Sequence, residues 1–148
     1  GEEIRTGTVL NADVTAALIR NVFYNKAPLH DGAMIIRGGR IHACGCFLPL
    51  STRQDVDRRL GTRHRAALGV TENSDAVVVV VSEETGTVSV AYEGTLKRGF
   101  SRNSLSKELR KYMIESHEGI SKKARIPFIK NKFGLNTDKK TGGEKSDE

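Results

Sequence analysis

Apolar residues recur along this chain at two spacings. Val14, Leu18, Ile19, Val22 and Phe23 stand three and four apart, the period of one helix face. Asn11 or Asp13 stands where such a helix wants a cap. Pro28 sets its end, because the residue before a proline is pushed out of the helical region. Ala33 to Arg37 and Arg40 to Leu48 then read as the strands of a β-hairpin about Gly38-Gly39, closed by Pro49. Ser51 to Arg59 form a polar, charged connection, and a second helix is expected from about Thr62 to Gly69.

A second hairpin is expected from Ala76 to Ser82 and Thr87 to Tyr92, around Glu83-Glu84-Thr85-Gly86. Val77 to Val81 does not alternate, so this strand should be covered on both faces. A third helix, capped by Ser104, carries Leu105, Leu109, Tyr112 and Met113. Beyond Gly119 the chain turns Lys-rich, and from Asn136 it is a polar stretch that cannot support a core. The expectation is one α/β domain over residues 1–118, a mixed β-sheet flanked by helices. A basic, polar and largely disordered tail at 119–148 should follow.

A chain of 148 residues has room for one domain with a core of its own. No apolar run approaches the roughly eighteen residues of a membrane span, and the first residues lack the apolar stretch of a signal peptide. Gly1 in place of Met points to a piece cut from a longer protein. The net charge of +6 gathers after Leu96, in Lys97, Arg98, Arg102, Lys107, Arg110, Lys111, Lys122, Lys123, Arg125, Lys130 and Lys132. Such a patch can meet nucleic acid, an anionic membrane or nucleotide phosphates, and a solvated helix face with a soluble tail explains most of it equally well. Cys44 and Cys46 cannot form a disulfide framework, so a reducing cytosol is the natural reading.

Three polar segments stand out. Leu29-His30-Asp31-Gly32-Ala33 puts an imidazole and a carboxylate on a loop leading into a strand, with a glycine that admits close backbone approach. A plain Asp-Gly turn is the simpler reading of that segment alone. Gly61-Thr62-Arg63-His64-Arg65 opens the second helix, with Thr62 placed to cap it. Two arginines there carry the wrong charge for the helix dipole, a conflict that a phosphate would resolve and that solvation would also relieve. Ser82-Glu83-Glu84-Thr85-Gly86 ends the most apolar strand, a common place for ligands in α/β proteins, and reads alone as an exposed turn.

Taken in order, these segments resemble the diadenylate cyclase (DAC, or DisA_N) domain family. Asp31-Gly32-Ala33 and Arg63-His64-Arg65 match its DGA and RHR signatures. The flanks Pro28-Leu29-His30, Leu48-Pro49-Leu50-Ser51, Leu60-Gly61-Thr62 and Val81 to Gly86 fit as well. The resemblance runs from about Thr6 to Tyr92 and is greatest to the membrane-anchored CdaA type. It implies the DAC fold, and an anchor on the cytoplasmic side of a bacterial membrane that lies outside this chain. It also implies a homodimer that condenses two ATP into cyclic di-AMP and two pyrophosphates.

In that reading Asp31 activates the 3′-hydroxyl, and Gly32 and Ala33 bring backbone to the nucleotide. Thr62, Arg63, His64 and Arg65 hold the phosphates, and Ser82 and Glu84 contact the phosphate and metal region. Phe47 and Leu48 face adenine. A divalent cation, Mn²⁺ or Mg²⁺, is implied, with His30 and Asp31 as its protein ligands; imidazole favours Mn²⁺. Relatives of this type are associated with a YbbR-domain regulator and a phosphoglucosamine mutase. The alternative is a non-catalytic nucleotide-binding regulatory module of the same fold, against which intact Asp31 and Arg63-His64-Arg65 argue. Nucleic acid is not expected as a partner, since aromatic stacking platforms are missing beside the basic residues. His42, Cys44 and Cys46 alternate on a strand like zinc ligands, but read better as strand residues with small buried thiols.

Overall fold

The first strand has no clear hydrophobic signature and is joined to its neighbour by polar side-chain contacts as well as by strand pairing. In the computed structural model, which describes residues 6–113, β1 (Thr8–Asp13) pairs antiparallel with β3 (Arg40–Cys46). Only Leu10 and Ala12 of β1 turn into the core. The Arg40 guanidinium clamps the strand by donating to Asp13 (2.5 Å), the Asn11 side chain (2.9 Å) and the Asn11 carbonyl. Asn11 and Asp13 are therefore strand residues rather than helix caps. Thr15 caps α1 (Ala16–Val22), its hydroxyl accepting from the Leu18 N–H at 3.1 Å. Val14 and Phe23 lie outside the buried stripe and are exposed. The helix ends at Val22, well before Pro28 could end it, because Phe23 already leaves the helical region.

The first hairpin forms as expected, from β2 (Ala33–Arg37) and β3, with β3 central in the order β1-β3-β2. α1 packs its stripe on this sheet: Val22, Ile41 and Cys44 are buried together, joined by Leu10, Ala12, Leu18, Ile19, Leu29 and Met34. Burial pushes the thiols of Cys44 and Cys46 above their ordinary range, as for core residues. His42 is only partly buried, and among the described residues no three His, Cys, Asp or Glu side chains gather as a metal site.

A second three-stranded antiparallel sheet contains β4 (Val78–Val81), β5 (Val88–Tyr92) and β6 (Thr95–Arg98) in that order. β6 was not expected, because Thr-Leu-Lys-Arg offers a single partly buried residue, Leu96. α2 (Thr62–Thr71) lies on this sheet through Ala67, against Val80, Ala91, Val78 and Leu96. The strand β4 is covered on one face only: Val80 is buried while Val79 and Val81 are 43% and 51% exposed. This corrects the expectation of two covered faces. A run of β-branched residues suits a pleated backbone whether or not each side chain is buried. The α/β class holds, with every strand pairing among the described residues antiparallel.

The connection after β3 is ordered by its charges. Arg53 pairs with Asp55 and donates to the Gly94 carbonyl at 2.8 Å, and Arg59 holds the Asp57 carboxyl down to about 2. The chain divides into two compact units, Gly1–Phe100 and Ser101–Glu148. The second begins with a helix at residues 102–113, capped by Ser101 rather than Ser104. Ser101 Oγ accepts from the Ser104 N–H (3.2 Å) and Ser104 Oγ from the Ser101 N–H (2.8 Å), a reciprocal box. The expected boundary at 118 and the tail at 119–148 lie outside the described residues.

One close approach fixes α2. A Cβ at Gly69 would run into the Pro49 carbonyl and lie 2.7 Å from the Ser51 nitrogen. Gly69→Ala should therefore cost about 1–3 kcal/mol in urea denaturation, as overpacked positions do. A stabilisation of about 1 kcal/mol, the gain at an unconstrained helix glycine, would show that the contact does not constrain the helix.

Candidate functional site

The chain leaving α1 reaches β2 through successive turns, and the last of them brings His30, Asp31 and Gly32 onto the end of β3. His30 lies with Nδ1 2.8 Å from the Ala27 carbonyl. A carbonyl can only accept, so Nδ1 carries the proton and Nε2 of the neutral ring keeps a lone pair for a ligand. Gly32 has φ +92, and a Cβ there would sit 2.7 Å from the Gly45 carbonyl carbon and 2.9 Å from the Cys46 oxygen. Only glycine allows this backbone-on-backbone contact. It delivers Ala33 into register with Cys46. The Asp31 carboxylate stands in solvent, 75% exposed, and accepts from the Gly32 N–H at 3.1 Å.

The first turn of α2 has the cap at Gly61, not Thr62, with no side-chain cap and no acidic residue. Its leading N–H groups and the Arg63 and Arg65 side chains are thus positive together. The counter-charge comes from elsewhere in the chain. Arg63 Nη2 lies 2.9 Å from Glu83 and 4.0 Å from Asp31. Through this one guanidinium the structure joins the three polar segments of the sequence. Glu83 itself was missed: the sequence reading chose Ser82 and Glu84. An uncapped, arginine-bearing helix start does signal a missing anion, but which of two adjacent glutamates supplies it depends on the turn. Here Ser82 Oγ accepts from the Thr85 N–H and Ser82 O from the Gly86 N–H, shaping that turn, and Glu84 lies exposed on it.

His64 differs from its arginine neighbours. It is 4% exposed, and its Nε2 is buried without a hydrogen-bond partner. Burial, aided by the charge of Arg98, lowers its pKa below the ordinary histidine value. Thr62 is exposed, and Arg63 and Arg65 are partly buried. Phe47 is 66% exposed with its N–H donating to Thr6 Oγ1 at 3.0 Å, and Leu48 is partly buried. Phe47 directly follows Cys46, the partner of Ala33, so it leaves the hairpin at the end where Gly32 enters. The chain then meets α2: the Ser51 N–H donates to the Arg65 carbonyl (2.9 Å) and its hydroxyl to Glu72 (2.5 Å). A continuous strip therefore links Gly32, Phe47 and the start of α2.

The family model described as DisA bacterial checkpoint controller nucleotide-binding matches residues 1–96. The chain is 47% identical over 109 residues to the cyclic di-AMP synthase CdaA of Bacillus subtilis, covering 74% of this chain and 40% of that one. It is 52% identical over 93 residues to the diadenylate cyclase CdaS of Bacillus thuringiensis, covering 63% and 46%. A crystal structure of DacA from Staphylococcus aureus superposes with a TM-score of 0.72 at 44% identity, covering 75% of this chain and 74% of that one. The chain spans less than half the length of these curated relatives.

Buried neutral His64 gives the stability a pH signature. Its folded-state pKa lies below its unfolded value near 6.5. Its contribution is therefore complete above that pH and is lost as pH falls toward the folded value, because only the unfolded chain takes up the proton. Urea midpoints between pH 7.5 and 5.5 should fall with acidification, and less steeply in His64→Asn. Equal slopes in both proteins would show that His64 does not titrate as a buried group.

Proposed function

The chain belongs to the DisA bacterial checkpoint controller nucleotide-binding (DAC) family, and from that premise we propose that it is the catalytic domain of a diadenylate cyclase. It joins two ATP into cyclic di-AMP and releases two pyrophosphates. The observation that carries this reading is the position of the Arg63 guanidinium, which reaches from the first turn of α2 to within 4.0 Å of the Asp31 carboxylate. A nucleotidyl transfer needs these two things side by side: a group to receive the proton of the attacking hydroxyl, and positive charge for the phosphates.

In the proposed reaction the 3′-hydroxyl oxygen of one ATP forms a bond to the α-phosphorus of another. The bond from that phosphorus to the bridging oxygen breaks, and pyrophosphate leaves with the electron pair. Asp31 receives the hydroxyl proton. Arg63, Arg65, Thr62 and the free N–H groups of α2 hold the triphosphate and take up charge as pyrophosphate forms. Gly32 and Ala33 let backbone approach the nucleotide, and Phe47 with Leu48 offers an apolar face to adenine. Buried His64, in the same turn beside the charge of Arg98, would position that turn for the phosphates. Ser82 shapes the turn that carries Glu83 and Glu84.

His30, with Nδ1 engaged and Nε2 free to ligate, and Asp31 would hold a divalent cation, with phosphate oxygens supplying the other ligands. Mn²⁺ or Mg²⁺ there would neutralise triphosphate charge. One site holds one ATP, so closing the ring takes two copies face to face. We assign residues 1–118 to this domain and 119–148 to a tail. No helix among the described residues is long and apolar enough to cross a membrane. A solved relative titled a hypothetical membrane spanning protein, from Bacillus cereus, matches with a TM-score of 0.63 at 49% identity. This supports a membrane-anchored whole protein, and we place this domain on the cytoplasmic side of a bacterial membrane. A YbbR-domain regulator and a phosphoglucosamine mutase are its proposed partners.

Incubation of the purified chain with ATP and Mn²⁺, followed by chromatography, should yield cyclic di-AMP. Asp31→Asn keeps the size of the side chain and removes its basicity. Product formation should fall about 10²–10⁴-fold, the usual contribution of a general base, with ATP binding largely retained. Wild-type turnover in that variant would remove Asp31 from its role, and the absence of cyclic product from the parent chain would overturn the activity.

A further inference from the structure

Glu83 occupies an edge of Arg63 that would otherwise be open to a phosphate. Arg63 Nη2 is 2.9 Å from the Glu83 carboxylate and 4.0 Å from that of Asp31, so two carboxylates already converge on it. A phosphate oxygen arriving at the same nitrogen adds a third anion, and mutual repulsion forbids all three sharing it. Asp31 is the more distant of the two and is tied to the Gly32 N–H, whereas Glu83 stands on an exposed turn and is free to swing away.

We propose that Glu83 is an internal competitor for Arg63, exchanged for a nucleotide phosphate when the polyphosphate binds and restored when pyrophosphate leaves. This rests on the proposed phosphate site at the start of α2. The sequence sets up the need for such a residue: an uncapped helix start with no acid in its first turn and two arginines lacks a local anion. Glu83 supplies one from the turn between β4 and β5. The pair is easily exchanged, since its side chains are 38% and 68% exposed and half-exposed ion pairs are weak. An exchangeable counter-ion of this kind lowers affinity for substrate and product alike, and it speeds the departure of a highly charged leaving group.

Calorimetric titration of inorganic pyrophosphate, with chelator present to exclude metal, tests this on four proteins: the parent chain, Glu83→Gln, Arg63→Gln and the double variant. Glu83→Gln should bind pyrophosphate about two- to fivefold more tightly, the range expected for releasing one exposed ion pair. In the Arg63→Gln background the same change should have clearly less effect, because the competition has lost its object. A structural role for Glu83 would weaken binding, and weakened or unchanged affinity overturns the proposal. Equal tightening in both backgrounds also overturns it, reducing Glu83 to a nearby like charge. If Arg63→Gln alone binds pyrophosphate as well as the parent, the phosphate site itself is wrong, a separate failure.

Discussion

Backbone lies directly on backbone at Gly32 and at Gly69, and the geometry of the site depends on both contacts. At Gly32 the loop from α1 rests on Gly45 and Cys46 with no room for a Cβ. At Gly69 the helix α2 rests on the Pro49 carbonyl and the segment to Ser51 in the same way. The first contact places Asp31 at the end of the first sheet. The second, with the Ser51 to Arg65 hydrogen bond, places the start of α2. Residues 45–51 connect the two, so Asp31 and Arg63 are both referred to one short stretch of chain. Side-chain packing could hold either element to within an ångström or so; contacts between main chains leave less play, which is what pre-organised charge requires.

The charges then follow from placement. Helix starts are positive, and this one adds arginines where proteins usually put acids or a capping hydroxyl. The local cost is borne because Glu83, and more distantly Asp31, answer it across the domain. His64 sits between the arginines yet is turned inward and kept neutral by burial. One tripeptide thus performs two tasks, presenting cations outward while anchoring its own turn.

How much of this was legible beforehand depends on whether the signal was local. Both hairpins, α2 and the chain class could be read because β-branched runs, Gly-Gly and Thr-Gly turns are local signals. The strand β1 could not, since it pairs with β3 and meets Arg40 through Asn11 and Asp13, contacts between distant positions. Three caps were misplaced as well: Asn11 and Asp13 are strand residues while Thr15 caps α1, α2 has its cap position at Gly61 rather than Thr62, and Ser101 rather than Ser104 caps the last described helix. The strand β6 was hidden in what looked like the start of a basic stretch. Motif residues were found because Asp-Gly-Ala and Arg-His-Arg are contiguous. Glu83 was not, because choosing between adjacent glutamates needs the turn geometry, and the burial of His64 needs the sheet beneath it.

The central claim is that one copy of this domain holds only half of a reaction that two copies complete. The most direct measurement is specific activity across a dilution series, run in parallel with sedimentation over the same concentrations. If each copy supplies one ATP, as proposed, activity per unit protein should rise with concentration and level off where sedimentation shows dimers to dominate. At the dilute end the total rate should approach the square of the protein concentration. Constant specific activity across a range that sedimentation shows to span monomer and dimer would contradict the account.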